Sequence, residues 1–504
     1  MLCLSDLIQS ALIRFGEATA LVIGSSRYSY RELDTKSTTL AAFLQAQGIL
    51  RCDKVALHLR NSLEYVVADL AILKLGAVKV PLNELMAPTE LAYCLQHSSA
   101  VALIAHASLA LPTVGIVEMR VLLSVADAGL PERSEWGSWA SATGFVGPLF
   151  SAQASQPDDM AMIAYTGGTT GQAKGVHHSQ HRLAVNLLAH IICGDIRTDE
   201  VMLLSTPLPH SAGYHLQACL VQGGTIVLAT KFEPQSFLKL AHEHQVTWFF
   251  AVPTMLYRLF DRLGAGAAVP RSIRTILYGA APMSRARIVE GLDYFGPVFI
   301  QLFGQTECPN FVTTLSKSDH LEDALLASCG RPVVLANVRV IGPDGEPRES
   351  GRVGEVEVFS PYVLVEYYQD PKATEAAFNC GWLRTGDLGY LDSGNYLYLV
   401  DRAKDMIISG GMNVYSADVE GALRRHGAIL DAAVLGMPDP DWGEAVVAFV
   451  TTRTRMSEAE VQAFARLELS AYKTPKRVYF VDDLPVTQYG KVDKKALRAR
   501  LASI

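Results

Sequence analysis

Charge is what this 504-residue chain has least of: Asp, Glu, Lys and Arg make up 19% of it, against about a quarter in an ordinary soluble domain. With 44 basic and 51 acidic side chains the net charge is −7, which argues against a dedicated nucleic-acid binder, a class that is usually basic. The shortage is concentrated. Residues 201–230 contain no charged side chain at all, a run long enough to cross a bilayer. Yet the run holds Pro207, Pro209, His210, Gly213, His215, Gln217, Gln222 and the pair Gly223-Gly224. A lipid-exposed helix would have to satisfy the backbone groups that such breakers release. The window therefore reads as loop, short buried helix, glycine turn and a strand at 225–229.

Other absences narrow the class further. The eight cysteines are scattered, with no C-x-x-C, as expected of free buried thiols in a reducing compartment. Thirteen histidines include no H-E-x-x-H and no Cys/His cluster, which disfavours zinc. No internal repeat or low-complexity tract occurs. At the start, Leu4, Leu7, Ile8, Ala11, Leu12 and Phe15 fall at helical spacing. This predicts an amphipathic first helix, because a signal peptide needs a basic start and a continuous apolar run. The expectation is a soluble, cytoplasmic protein with no transmembrane segment and no nucleic-acid partner.

What is present is a chain 49% apolar, able to build a large core, with the length of roughly three domain-sized units. Apolar β-branched runs alternate with helical patterns, which predicts an α/β architecture. Strands are expected at 246–252, 274–278 and 298–303. Each runs into small or polar residues: Pro253-Thr254, Gly279-Ala280-Ala281-Pro282 and Gly304-Gln305-Thr306-Glu307. Ligands of open α/β sheets sit beyond the carboxyl ends of the strands, so these three ends are expected to share one pocket. After residue 402 the texture changes to short strands (429–435, 444–451) and helices (417–426, 457–469), with Ser416 as N-cap and Gly427 as stop. The polar joint at 401–405 places the expected boundary between a large multi-subdomain α/β body, 1–402, and a small mobile C-terminal α+β domain, 403–504.

The most informative stretch is Tyr165-Thr166-Gly167-Gly168-Thr169-Thr170-Gly171-Gln172-Ala173-Lys174-Gly175. Its glycines let backbone N–H groups approach an anion closely, and the threonine hydroxyls and the ammonium add donors. It is not a Walker A loop, since Gly175 follows Lys174. A plain glycine turn between the strand at 163–165 and a helix after Ser179 is the alternative. The stretch resembles the phosphate loop of the adenylate-forming superfamily, which comprises acyl- and aryl-CoA ligases, nonribosomal peptide adenylation domains and luciferases. The family pattern is close to Y-T-S-G-T-T-G-x-P-K-G, and this chain departs from it at Gly167 (for Ser) and Ala173 (for Pro).

Five further stretches resemble family motifs in the family's order, the set spanning more than 300 residues. Tyr278-Gly279-Ala280-Ala281-Pro282-Met283-Ser284 resembles the segment lining the adenine and acyl pocket. Phe303-Gly304-Gln305-Thr306-Glu307 resembles Y-G-x-T-E. There the resemblance implies that Thr306 meets the AMP phosphate, that Glu307 holds Mg²⁺, and that Phe303 keeps an aromatic face for adenine. Trp382-Leu-Arg-Thr-Gly-Asp387 implies Asp387 on the ribose, where a carboxylate suits two hydroxyl donors. The stretch Asp401-Arg402-Ala403-Lys404 to Glu420 implies Arg402 on the ribose, Lys404 as the hinge, and Gly410 and Gly411 beside the pantetheine tunnel. Within it Met412 stands where a Glu is common, and Ser416 where the family pattern has Pro. Finally Leu484-Pro-Val-Thr-Gln-Tyr-Gly-Lys491 resembles L-P-x-T-x-x-G-K and implies Lys491 as the mobile lysine of adenylation.

By the same resemblance Lys174, Thr306, Glu307 and Lys491 are the catalytic set. The acyl pocket takes His210, Tyr214, Gly279, Gly304 and Cys308. His177, His178 and His181 are expected at a helix start. The implied activity is an ATP-dependent acid–thiol ligase using ATP, Mg²⁺ and CoA: a carboxylic acid is activated as acyl-AMP and passed to the thiol. Two alternatives stay open. One is a stand-alone enzyme loading the phosphopantetheine of an acyl-carrier protein. The other is a non-catalytic acyl or nucleotide sensor, to which Gly167 and Phe303 point and which intact Lys174, Glu307, Asp387, Arg402 and Lys491 oppose. A homodimer is left open too. The segments expected to line the acyl pocket (208–216, 250–255, 278–283, 301–310) hold one acidic residue, Glu307. With no second carboxylate to pair an α-ammonium, an uncharged aryl or aliphatic acid is expected.

Overall fold

Trp248–Ala251 is buried along its whole length, as a strand covered on both faces requires. The computed structural model describes residues 2–111, 119–127, 135–166, 173–264, 269–402, 405–409, 412–440, 442–487 and 492–502. These group into two compact units. The first takes the chain up to Asn337 together with Phe359–Phe378. The second takes Val338–Val358 and everything from Asn379 on. It therefore includes two segments, 338–358 and 379–402, that a boundary at 402 would assign to the body.

In the first unit a nine-stranded sheet carries five neighbouring parallel strands: Thr225–Leu228, Val201–Leu204, Trp248–Ala251, Thr275–Gly279 and Phe299–Gln305. Ala251 lies opposite Tyr278, and Gly279 opposite Leu302. The three expected strands are thus side by side with aligned carboxyl ends, so Pro253, Ala280 and Thr306 leave the same edge. Helices Pro253–Arg262 and Arg285–Phe295 pack behind them in one core with Phe249, Ile276, Tyr278 and Phe299. A second, eight-stranded sheet includes the antiparallel set Met160–Thr166, Lys174–Ser179 and Glu366–Tyr367.

The charge-free window opens on a strand, Val201–Leu204, rather than a loop. A π-helical turn, Leu208–Ala212, leads into the helix Gly213–Gln222. Gly223 ends that helix at φ +85°, a left-handed conformation that favours glycine, and the strand Thr225–Leu228 follows. His177 and His178 also differ from expectation: both sit in the strand Lys174–Ser179, and the helix begins only at Gln180. No described helix is long and apolar enough to cross a membrane.

In the second unit, Gly354–Phe359, Trp382–Leu391 and Leu397–Arg402 form antiparallel neighbours. Buried Glu357 ties them by accepting from Arg339 (2.6 Å) and Asn379 (2.8 Å). A further sheet, centred on Ile429–Asp439 and Gly443–Thr452, carries helices Ser416–Arg424 and Glu458–Glu468 on one core. Leu497 of the helix Lys494–Ala502 joins a different cluster with Leu435 and Phe449. Ser416 is the first helical residue rather than the cap, and the helix ends at Arg424, before Gly427.

Candidate active site

Thr306 and Glu307 form the two-residue turn between Phe299–Gln305 and the antiparallel strand Cys308–Leu315, with Gln305 paired to Cys308. The turn thus projects from the edge where the parallel strands end. Two glycines make the approach of backbones there possible. A Cβ on Gly279 would lie 2.5 Å from the Leu302 carbonyl oxygen, and one on Gly304 2.6 Å from the Asn310 backbone. Ala280, next in chain, takes φ +67°. Ala281 follows it at the strand end, and Phe303 and Gln305 remain partly exposed beside the turn.

Three contacts hold the turn from outside its own hairpin. The Tyr367 hydroxyl donates to Glu307 Oε1 at 2.7 Å. Leu364 N donates to the Glu307 carbonyl at 2.6 Å. His178 Nε2 donates to the Thr306 carbonyl at 2.8 Å, and burial pulls that imidazole down to about 4, so it is neutral at pH 7. Lys174 begins the strand that carries His178, and its ammonium lies 4.5 Å from the centre of the Tyr367 ring. Thr166, the last residue of the strand before it, pairs with Lys174. One ring therefore lies under the candidate phosphate lysine while its hydroxyl grips the candidate metal carboxylate. Sequence reasoning missed both Tyr367 and His178, whose roles depend on partners 60 and 128 residues away.

His210 occupies a non-helical backbone conformation inside the π-helical turn. Asn83 Nδ2 donates to its Nε2 at 2.6 Å, and desolvation pulls it to about 4. His210 and Tyr214 line a cavity of about 20 Å³ together with Lys79, Leu208 and Gln217, room for about one water molecule. Two of these lining residues hold a buried carboxylate: Lys79 Nζ pairs with Asp69 Oδ1 at 2.8 Å, and Gln217 donates to Asp69 Oδ2 at 3.0 Å. Tyr214 stacks on His190, whose Nε2 is bonded to Asn310 (2.8 Å), and Asn310 accepts from Ser211 (2.9 Å). Cys308 is fully buried, its thiol against Ser360.

In the second unit Asp387 and Arg402 face each other across the strands Trp382–Leu391 and Leu397–Arg402, joined at 2.7 Å. Asp387 is thus a buried strand residue, 4% exposed. Gly167, Gly168, Thr169, Thr170, Gly171, Lys404, Gly410, Gly411 and Lys491 lie outside the described residues.

Residues 8–368 match the family described as AMP-binding enzyme, and residues 418–491 match its C-terminal domain. A feruloyl-CoA synthase of Amycolatopsis sp is 34% identical over 96% of this chain and 96% of its own. A medium/long-chain-fatty-acid–CoA ligase of Mycobacterium tuberculosis is 38% identical over 70% of this chain and 63% of that relative's length. Among solved structures, an amide bond synthetase from Marinactinospora thermotolerans superposes with a TM-score of 0.88 at 30% identity, covering 99% of each chain. The chain belongs to the AMP-binding enzyme family, the adenylate-forming superfamily. It is an acyl- or aryl-CoA ligase of the AMP-forming type.

Proposed function

We propose that the chain activates an uncharged aryl or aliphatic carboxylic acid with ATP and passes it to CoA, using Lys174, Thr306, Glu307, Asp387, Arg402 and Lys491. A carboxylate oxygen of the acid attacks the α-phosphorus, the bond to the β-phosphate oxygen breaks, and acyl-AMP and pyrophosphate form. The CoA thiolate then attacks the acyl carbon, and AMP leaves. Both partners of the first step are anions, so pre-organised donors carry much of the catalysis. The observation that supports this most is the Thr306-Glu307 turn at the shared strand edge, with Tyr367 joining Glu307 to Lys174.

Among the described residues no three His, Cys, Asp or Glu side chains cluster as a metal cage. A single carboxylate still suits Mg²⁺, which commonly takes one or two carboxylates and otherwise phosphate and water oxygens. Glu307 fits, because Tyr367 bonds only its Oε1. Mg²⁺ bound there would neutralise phosphate charge. Tyr367 orients the carboxylate, Lys174 and Thr306 offer donors to phosphate, and Asp387 accepts from ribose hydroxyls.

For the acid, Lys79, which lines the cavity with His210, is neutralised by Asp69, leaving that wall without net charge for a charged acyl group. Residues 403–504 act as a cap turning at Lys404, presenting Lys491 for adenylation and Gly410-Gly411 for the thiol. A cytoplasmic site of action fits a CoA-dependent reaction. The deciding experiment is pyrophosphate release over a panel of benzoic, cinnamic, fatty and amino acids, repeated with CoA, with holo-acyl-carrier protein and with a simple amine. Release with aryl or fatty acids and thioester formation with CoA supports the proposal. Preference for an amino acid, for the carrier protein or for the amine replaces the acid or the acceptor accordingly.

A further inference from the structure

Asparagine is one of the few residues that tolerate a left-handed backbone, and its amide both donates and accepts. Asn310, in the strand Cys308–Leu315, uses both properties. Its φ is +62°, and the register with Phe299–Gln305 shifts between Phe303 and Gln305. The amide bridges two other elements, accepting from Ser211 Oγ at 2.9 Å and donating to His190 Nε2 at 2.8 Å. Each proton in this set has one place. His190 Nδ1 donates to the Asn186 carbonyl at 2.8 Å, and burial keeps the ring neutral at pH 7. A neutral imidazole carries one proton, so Nε2 accepts and the Asn310 amide is oriented. Ser211 gives its only proton to Asn310 and accepts in turn from His215 Nε2 at 3.2 Å. Asn186 Nδ2 donates to the Pro309 carbonyl at 2.8 Å, a further bond between the same helix and the same strand.

The ends of this bridge belong to different parts of the site. Ser211 follows His210 in the π-helical turn Leu208–Ala212, the wall of the proposed acyl site. Asn310 stands on the outgoing strand of the Thr306-Glu307 hairpin, and its backbone packs so closely on Gly304 of the incoming strand that a Cβ there would lie 2.6 Å away. Between them His190, fully buried in the helix Gln180–Cys193, is a fixed post: Tyr214 stacks on one side of it, and Phe311 meets it edge-on at 4.8 Å between ring centres. A buried polar network with every bond directed has no second arrangement to slip into, and so rigidifies what it joins. Adenylation needs the acid carboxylate and the α-phosphorus in line, and a misplacement of about 1 Å can cost about 10²-fold. We infer that Asn310, Ser211 and His190 are positioning residues that hold the acyl-side turn in register with the Thr306-Glu307 turn, so that a bound acid meets the phosphate already aligned.

This rests on the roles proposed above for His210 and for the Thr306-Glu307 turn. Two variants cut the bridge and leave those residues in place. Ser211→Ala removes one donor, and Asn310→Gly removes both amide bonds while accepting the left-handed φ. Two half-reactions are read on the same preparations with the best acid of the panel. One is acid-dependent exchange between pyrophosphate and ATP; the other is thioester formation from synthetic acyl-AMP and CoA. For exchange, kcat should fall about fivefold in Ser211→Ala, the scale of one neutral hydrogen bond, and about tenfold or more in Asn310→Gly. KM for the acid and for ATP should each move less than about twofold, because alignment is felt in the transition state rather than in binding. Thioester formation starts with acid and phosphate already joined and should also change less than about twofold. Ser211→Thr restores the hydroxyl and should recover exchange. Equal loss in both half-reactions would mean a merely structural role, and a raised KM for the acid at unchanged kcat a simple binding contact. Either result, no change at all, or no recovery in Ser211→Thr would overturn the inference. Glu307→Gln separates the layers. If exchange survives it, the role of the hairpin is at fault. If exchange is lost there while cutting the bridge does nothing, the bridge alone is refuted.

Discussion

The Tyr367 hydroxyl donates to Glu307 Oε1 at 2.7 Å while the Lys174 ammonium sits over the same ring at 4.5 Å. Tyr367 is 9% exposed, and burial, with the Glu307 charge as a second cause, keeps the phenol protonated and so a permanent donor. Tyr367→Phe removes the donor and leaves the ring face under Lys174. A hydrogen bond to a charged group is worth about 1.5–3 kcal/mol, so adenylation should slow about tenfold or more. The carboxylate, freed to turn, should also need more Mg²⁺. A Mg²⁺ titration of pyrophosphate release is the check, and a variant with wild-type rate and midpoint would mean that Glu307 needs no holding.

Lys491→Ala should cost adenylation about 10²–10³ in kcat, the usual cost of one pre-organised donor at a developing charge. Thioester formation from synthetic acyl-AMP should change little, because by then the pyrophosphate has gone. The two rates are measured on the same preparation. Equal loss in both would contradict a cap that moves between two placements.

How much of this was legible depended on whether a signal was local. The strands ending at Ala251, Gly279 and Gln305 announced themselves as apolar runs stopped by small residues, and Thr306-Glu307 came with its motif. His178 was misplaced for a physical reason. The helix signal is real, since Ser179 accepts from Arg182 N, but the strand runs up to that very cap. Tyr367 and the Asp69–Lys79 pair carry no local mark at all. Asp69 lies in the largely apolar helix Leu63–Leu75 and Lys79 in the buried strand Val78–Pro81, and only the tertiary fold brings them together. Ser416 read as a cap because serine usually is one; the carboxylate it bonds instead, Asp401, is 15 residues upstream.

The Asp69–Lys79 pair should behave asymmetrically. Both side chains are almost fully buried, at 2% and 9% exposure, so truncating one strands the other's charge. Lys79→Ala is expected to destabilise the protein by about 3–5 kcal/mol, whereas the apolar double replacement Asp69→Leu with Lys79→Met should recover most of that loss. Thermal melts of the three proteins decide it. A double variant no better than Lys79→Ala would show that the charges themselves, rather than their pairing, support the cavity wall shared with His210.

Acid should unfold this protein early, and the direction follows from its buried histidines. Burial holds His178 and His190 at about 4, against about 6.5 for a free imidazole. Between those values the unfolded chain binds protons that the folded chain refuses, so stability is complete above about 6.5 and is lost as pH falls toward 4. At pH 5 the loss is about 2 kcal/mol for each such histidine. His178→Gln keeps a donor for the Thr306 carbonyl but does not titrate. Urea midpoints measured from pH 7.5 to 5 should therefore fall less steeply in the variant than in the wild type. Parallel curves would show that His178 accepts its proton in the folded state and contributes nothing to the acid transition.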